Sequence, residues 1–234
     1  MNPNVMATTD VAGATFSMVL FGMAATTVLL LLATGWVAGR WKLPLALCAL
    51  VTLVGTISYF DARAAWLATQ DIPIVYQYAA WIVTIPLQVI ALFFFVATVQ
   101  TPSTALFWRL LVVAVATILA RYMGDAGLMN PTLAFLIGIV GWLYILGECF
   151  FGQMAEIVAR SDDESLQRGY FWLRLIITVG WAVYPLGNFI LSFGGGTDTG
   201  GFAIAYNLVD FLNRIAFGLT FLTVALAGAR STPR

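Results

Sequence analysis

Histidine is absent from the sequence, lysine occurs once, at Lys42, and cysteine twice, at Cys48 and Cys149. Without histidine or a Cys-x-x-Cys pair, the usual structural zinc and haem sites are excluded. Both cysteines lie in apolar stretches, where a thiol behaves as a small hydrophobe, so no disulfide is expected. Charge is also scarce: 9% of residues are charged against 61% hydrophobic, and 11 basic residues balance 11 acidic ones. A neutral chain without basic runs has nothing to offer nucleic acid and no electrostatic hold on a lipid surface. No nucleophile–base pair or metal cluster is visible, so an enzyme is not expected.

What is present is apolar length. A chain of 234 residues with this composition lies outside the range of soluble domains and reads as a polytopic membrane protein. The polar N-terminal stretch Met1 to Ala12 carries Asp10 but no Lys or Arg, a poor start for a cleaved signal peptide, so the first apolar run is expected to be a retained helix. Seven apolar segments come close to the roughly 20 residues that span a bilayer: Thr15–Ala38, Leu43–Phe60, Ile74–Val99, Leu106–Met129, Thr132–Gln153, Tyr170–Phe193 and Phe202–Ala229. The fold class expected is therefore an all-α membrane protein, a bundle of seven transmembrane helices forming a single domain over residues 1–234 and integral to the cell's inner membrane.

The connections are short. Trp41-Lys42-Leu43-Pro44, Thr101-Pro102-Ser103 and Asn130-Pro131 each place a proline just past a helix end or in the next first turn, where it is tolerated. Ala155–Gly169, with Asp162-Asp163-Glu164, reads as a solvated loop, and Gly194–Gly201 as a flexible turn. Arg40, Lys42, Arg109, Arg160, Arg168, Arg230 and Arg234 gather on one side against Arg63 and Arg121, so the positive-inside rule puts the N-terminus outside and the C-terminus in the cytoplasm.

The last segment carries Asp210 and Arg214, four apart and so on one helix face, where they can pair. Each would cost roughly 2.5–3.5 kcal/mol at the centre of a bilayer, so such residues face a protein interior and mark function. Around them Tyr206, Asn207, Leu208, Asp210, Asn213, Phe217, Gly218 and Leu219 form a pattern that resembles the seventh helix of microbial rhodopsins, of the proteorhodopsin kind. Trp81-Ile82-Val83-Thr84-Ile85-Pro86-Leu87, Tyr122-Met123-Gly124-Asp125-Ala126-Gly127 and Gly180-Trp181-Ala182-Val183-Tyr184-Pro185 extend the likeness to other helices.

The resemblance implies a retinal pocket walled by Trp81, Thr84, Gln88, Met123, Gly127, Gly138, Trp142, Trp181, Tyr184 and Pro185, with Trp81 and Trp181 sandwiching a polyene and Gly127 making room for its ring. Gln88 falls where the family tunes colour. Asn188 replaces an aromatic usual after the sixth-helix proline, and Phe135 would narrow a lateral opening, so no carotenoid antenna is expected. The resemblance also implies that Asp210 is the counterion, with Tyr59 and Tyr184 as its hydrogen-bonding partners.

At the family's retinal-binding lysine this chain has Arg214. Arginine stays protonated and its lone pairs are delocalised, so it cannot form a Schiff base, and Lys42 lies at the end of a helix. Covalent retinal is not expected. The positions matching the pump's acceptor and donor carboxylates are Ala80 and Ala91, its release arginine Gln77, and its second-helix histidine Ser58. All of these changes remove proton-pump chemistry, while Arg214 restores the positive charge that balances Asp210. Arg121 and Asp125 form another pair four apart, read as structural, and Glu148 has no obvious partner.

The reading that results is a rhodopsin-like protein that does not pump protons and binds retinal non-covalently, or has a sensory or regulatory role. The alternative is a chromophore-free structural or interaction partner of other membrane proteins, such as a functional rhodopsin; either way the chain lies within the bilayer, and its expected partners are further copies, in a pentamer or hexamer of the kind usual among relatives, or another rhodopsin. A channel or transporter of another ion finds less support, because the third helix lacks a carboxylate that could build a coordinating ring.

Overall fold

The computed structural model describes residues 7, 9–71, 74–193 and 199–230, with the side chains of 74–76, 188–193 and 229–230 outside the description. Its elements are α1 Val11–Ala33, α2 Gly39–Thr69, α3 Ile74–Ala97, α4 Thr104–Asp125, α5 Pro131–Phe151, α6 Gln153–Ala159, α7 Glu164–Leu175, α8 Trp181–Phe193, α9 Thr199–Phe211 and α10 Phe217–Arg230. Two π-helical turns, Ile176–Gly180 and Leu212–Ala216, join α7 to α8 and α9 to α10. The chain therefore makes seven rods, and among the described residues there are no strands.

Side-chain caps start the rods, because the first N–H groups of a helix have no partner inside it. Asp10 accepts from the Gly13 amide, Ser103 from Leu106, Asn130 from Thr132 and Leu133 just ahead of Pro131, and Asp163 from Leu166. Among the described residues six of the rods are long and apolar enough to cross a membrane, and Glu164–Phe193 completes the bundle. Adjacent rods pack in chain order, and α9 closes the ring on α1. Large side chains such as Phe21, Phe60, Val140 and Phe151 stand exposed around the outside, the arrangement of a bundle whose solvent is lipid. The protein is an integral, multi-pass membrane protein.

Two connections differ from expectation. Trp41-Lys42-Leu43-Pro44 is not a linker but the start of α2, which begins at Gly39 and runs on to Thr69; Pro44 stands close enough to the helix start to cost a single early hydrogen bond. Most of Ala155–Gly169 is helix rather than loop: α6 and α7 leave only 160–163 between them, held by the Asp163 cap and by Glu156–Arg160 and Glu164–Arg168 pairs one turn apart. The turn read at Gly194–Gly201 falls largely outside the described residues.

Candidate functional site

The π turn Leu212–Ala216 carries Arg214 and shapes the site. Arg214 and Asp210 are 3% and 4% exposed, and Nη2 of the first lies 3.4 Å from Oδ2 of the second. The Tyr59 hydroxyl donates to the same oxygen at 2.9 Å, while the Tyr184 hydroxyl donates to Oδ1. Asn213 Nδ2 donates in turn to the Tyr184 oxygen at 3.1 Å, and Gln88 Nε2 to the Asn213 carbonyl at 2.8 Å. A helix that widens for one turn offers its backbone to a neighbour in this way, which is why π turns recur at functional sites. Helices α2, α3, α8 and α9 thus all meet on one carboxylate–guanidinium pair.

The pair is charge-balanced but incompletely satisfied. Arg214 Nη1 has no hydrogen-bond partner, and a Cβ on Gly55 of α2 would stand 2.9 Å from it. Asn213 Oδ1, Thr84 Oγ1 and Trp81 Nε1 are likewise buried and unpartnered. Buried polar atoms usually find a partner, so orphans of both kinds, donors and an acceptor, around one ion pair point to water.

A space of about 210 Å³, part of it open to the outside, lies beside the pair, lined by Trp81, Thr84, Ile85, Gln88, Trp181, Tyr184, Asp210, Asn213 and Arg214. Four of these, Trp81, Ile85, Trp181 and Tyr184, also line a wider cleft of about 690 Å³, part of it open to the outside. The cleft is completed by Tyr78, Thr117, Ile118, Arg121, Phe135, Gly138, Ile139, Trp142, Ile145 and Pro185. The two spaces lie against this shared wall and together make up a slot, polar at its small end and aromatic at its wide end. At their junction the Trp81 and Tyr184 rings meet edge to face, 5.0 Å apart.

Most of the wall predicted from sequence is gathered here: Trp81, Thr84, Gln88, Gly138, Trp142, Trp181, Tyr184 and Pro185 all line the slot. Met123 and Gly127 do not. Gly127 lies beyond the end of α4 with a φ of +73° and nothing near the place of a Cβ, so it shapes a turn rather than a cavity. Thr117, Ile118 and Arg121 take the place expected for Met123 and Gly127, because α4 turns that face toward α5. The sequence places Arg121 among the basic residues of the outer side and as half of a pair, not in the pocket wall. A reading of the one face shared by Thr117, Ile118 and Arg121, three and four residues apart, would have found them.

Ser58, Gln77, Ala80 and Ala91 line neither space; both alanines are buried, at 3% and 0% exposure. The Asn188 side chain lies outside the described residues. Glu148 has one neighbour that the sequence did not suggest, the Tyr144 hydroxyl at 3.4 Å, while its other oxygen is buried and unpartnered. Arg174, also missed, lies over the rings of Phe150 and Tyr170 at 4.8 and 5.2 Å.

Residues 11–228 match the family of bacteriorhodopsin-like proteins. The chain is 34% identical over 220 residues to the blue-light absorbing proteorhodopsin of Gamma-proteobacterium Hot 75m4, spanning 93% of this chain and 87% of that one. It is 33% identical over 218 residues to the green-light absorbing proteorhodopsin of Gamma-proteobacterium EBAC31A08, with the same coverage. Among solved structures it resembles blue light-absorbing proteorhodopsin from Med12, at a TM-score of 0.78 and 31% identity over 94% of this chain and 100% of that one. The Exiguobacterium sibiricum rhodopsin has the same fold, at a TM-score of 0.83 and 24% identity over 94% and 98%.

Proposed function

The chain belongs to the bacteriorhodopsin-like family of microbial rhodopsins, and from that premise we propose that it is a member that does not pump protons, one that holds retinal without a covalent bond and serves a sensory or regulatory role. The family implies retinal, whose polyene supplies light absorption when bound. The observation that carries the reading is the buried Arg214–Asp210 pair in a chain whose one lysine, Lys42, is exposed near the start of α2.

A covalent link to retinal requires a primary amine that can be neutral, and a guanidinium is neither primary nor neutral. The residues present therefore do not fit the family's covalent attachment. They do fit an apolar chain held in place by contact alone. Trp81 and Trp181 flank the slot, and the unpartnered hydroxyl of Thr84 and indole N–H of Trp81 supply donors for an oxygen at its narrow end. The pair keeps that end neutral overall, so an uncharged ligand enters without stranding an ion. Ala80 and Ala91, matched by resemblance to the acceptor and donor carboxylates, hold no proton, and Gln77 and Ser58 complete the loss.

The test is to express the unmodified protein with all-trans retinal, purify it, record its visible absorption and extract it for bound retinoid. Bound retinoid absorbing near the free aldehyde is the expected result; retinoid that stays attached to the protein after denaturation would overturn the non-covalent reading. In the same preparation Arg214→Lys is expected to yield a coloured pigment, since Asp210 with its two tyrosines remains as counterion. A folded Arg214→Lys protein that takes up no retinal would count against the pocket.

A second reading, a chromophore-free bundle that associates with other membrane proteins such as a functional rhodopsin, draws on one observation. The contact between Trp81 and Tyr184 narrows the slot where a polyene would have to pass. Folded protein without any retinoid, and with other membrane proteins co-purifying, is the outcome that reading expects.

A further inference from the structure

The wide end of the slot is almost wholly apolar, with one cation in its wall. Arg121 reaches it from α4 by lying across Gly138 of α5: a Cβ on that glycine would meet Arg121 Cδ at 2.6 Å and Cγ at 3.0 Å. The missing side chain at 138 therefore makes room for the arginine stem, and the guanidinium rides over the Phe135 ring at 5.7 Å. Its ion pair with Asp125 is loose, one nitrogen at 3.6 Å, beyond hydrogen-bond range. Asp125 faces Arg121 with Oδ1 and accepts the hydroxyl of Tyr78 at Oδ2, and the Tyr78 ring packs edge to face on Trp81. Tyr78 is a second hydrogen-bonding neighbour of the guanidinium, which has five N–H donors in all, and in an apolar cleft a donor that loses water without gaining an acceptor is costly.

We propose that Arg121 makes the wide end of the slot an oxygen-recognising subsite, so that the protein selects an elongated apolar ligand whose bulky end carries a keto or hydroxyl oxygen. This rests on the reading that the slot holds a retinoid-like molecule non-covalently. A neutral acceptor fits better than a carboxylate, because Arg121 and Asp125 already balance, and an added anion would leave one uncompensated negative charge in a poorly solvated wall. The narrow end discriminates little, since the unpartnered Thr84 hydroxyl can donate to a terminal oxygen of any kind. Selectivity then lies at Arg121, and it is chemical selectivity: a bare hydrocarbon ring desolvates the guanidinium and returns nothing, whereas a ring ketone accepts a charge-assisted hydrogen bond.

The test titrates purified protein with two probes, all-trans retinal and its ring-ketone derivative, following quenching of tryptophan fluorescence, for which Trp81, Trp142 and Trp181 stand in the slot wall. The expected result is that the ketone binds on the order of tenfold more tightly than retinal. Arg121→Met keeps the length of the stem over Gly138 while removing the donors, and brings the ratio of the two constants to about one. Arg121→Gln, which retains an amide donor, keeps a preference for the ketone, and this variant separates a lost hydrogen bond from lost packing. Equal binding of both probes by the unmodified protein overturns the subsite but leaves non-covalent retinoid binding intact. So does an unchanged ratio in Arg121→Met. Binding of neither probe, in protein shown by circular dichroism to be folded, overturns the subsite and the retinoid reading together.

Discussion

Asp210 accepts from Tyr59 and Tyr184 and pairs with Arg214, so its loss strands more than one group. Removing one partner of a buried ion pair costs roughly 3–5 kcal/mol, because the other charge remains in a medium that cannot solvate it. Asp210→Ala is therefore expected to destabilise the folded protein by about that much, measured by denaturation in detergent. Asp210→Ala with Arg214→Leu should recover a large part of the loss, since no ion is then left alone; a double variant as unstable as the sum of the singles would refute the coupling. This much was legible in the sequence, because a spacing of four on one helix settles that the two charges can touch. The place of Arg121 was not. It depends on which face α4 turns to α5, and that is set by a glycine on the other helix, Gly138, whose absent side chain is filled by the arginine stem.

At the scale of elements, the two π turns abut. Gly180, the last residue of Ile176–Gly180, lies against Asn213 in Leu212–Ala216, and a Cβ there would overlap the Asn213 carboxamide oxygen. The contact lets the rods containing α8 and α9 approach closely enough for Tyr184 to reach Asp210. Gly180→Ala is thus expected to cost about 1–3 kcal/mol by overpacking, and to weaken retinoid binding at the same time, because Asn213 also holds the Tyr184 hydroxyl. Thermal unfolding and fluorescence titration of the variant check both effects. In an Asn213→Ala background the added methyl should cost much less, since the atom it strikes is gone. Long apolar runs made the seven rods legible from composition alone. Their fine structure was not legible: Ile-Ile-Thr-Val-Gly and Leu-Asn-Arg-Ile-Ala look like ordinary helix, and the widening arises from packing between rods that no local sequence pattern encodes. The helices around 160–163 escaped for the opposite reason, since clustered charges suggested a loop where in fact they pair one turn apart.

For the whole molecule the question is whether a proton could cross. A relay needs titratable groups spaced along the path, each within reach of the next directly or through water. Among the described residues the buried charged side chains are Asp210 and Arg214, and they sit together rather than in series. On α3, Ala80 stands one turn before Thr84 and Ala91 two turns after it, so the two positions at which the family's resemblance calls for carboxylates are filled by buried methyl groups. Arginine holds its proton, which removes the remaining candidate carrier from the middle of the path. The expected outcome follows even where colour is restored: vesicles containing Arg214→Lys loaded with retinal should show no light-driven change in external pH beyond that of empty vesicles. Adding Ala80→Asp and Ala91→Glu to that variant would restore the missing stations, and a light-driven pH change that appears only in the triple variant would locate the loss of transport at those positions. A pH change in Arg214→Lys alone would refute it, because it would require a proton route through side chains that have no proton to give.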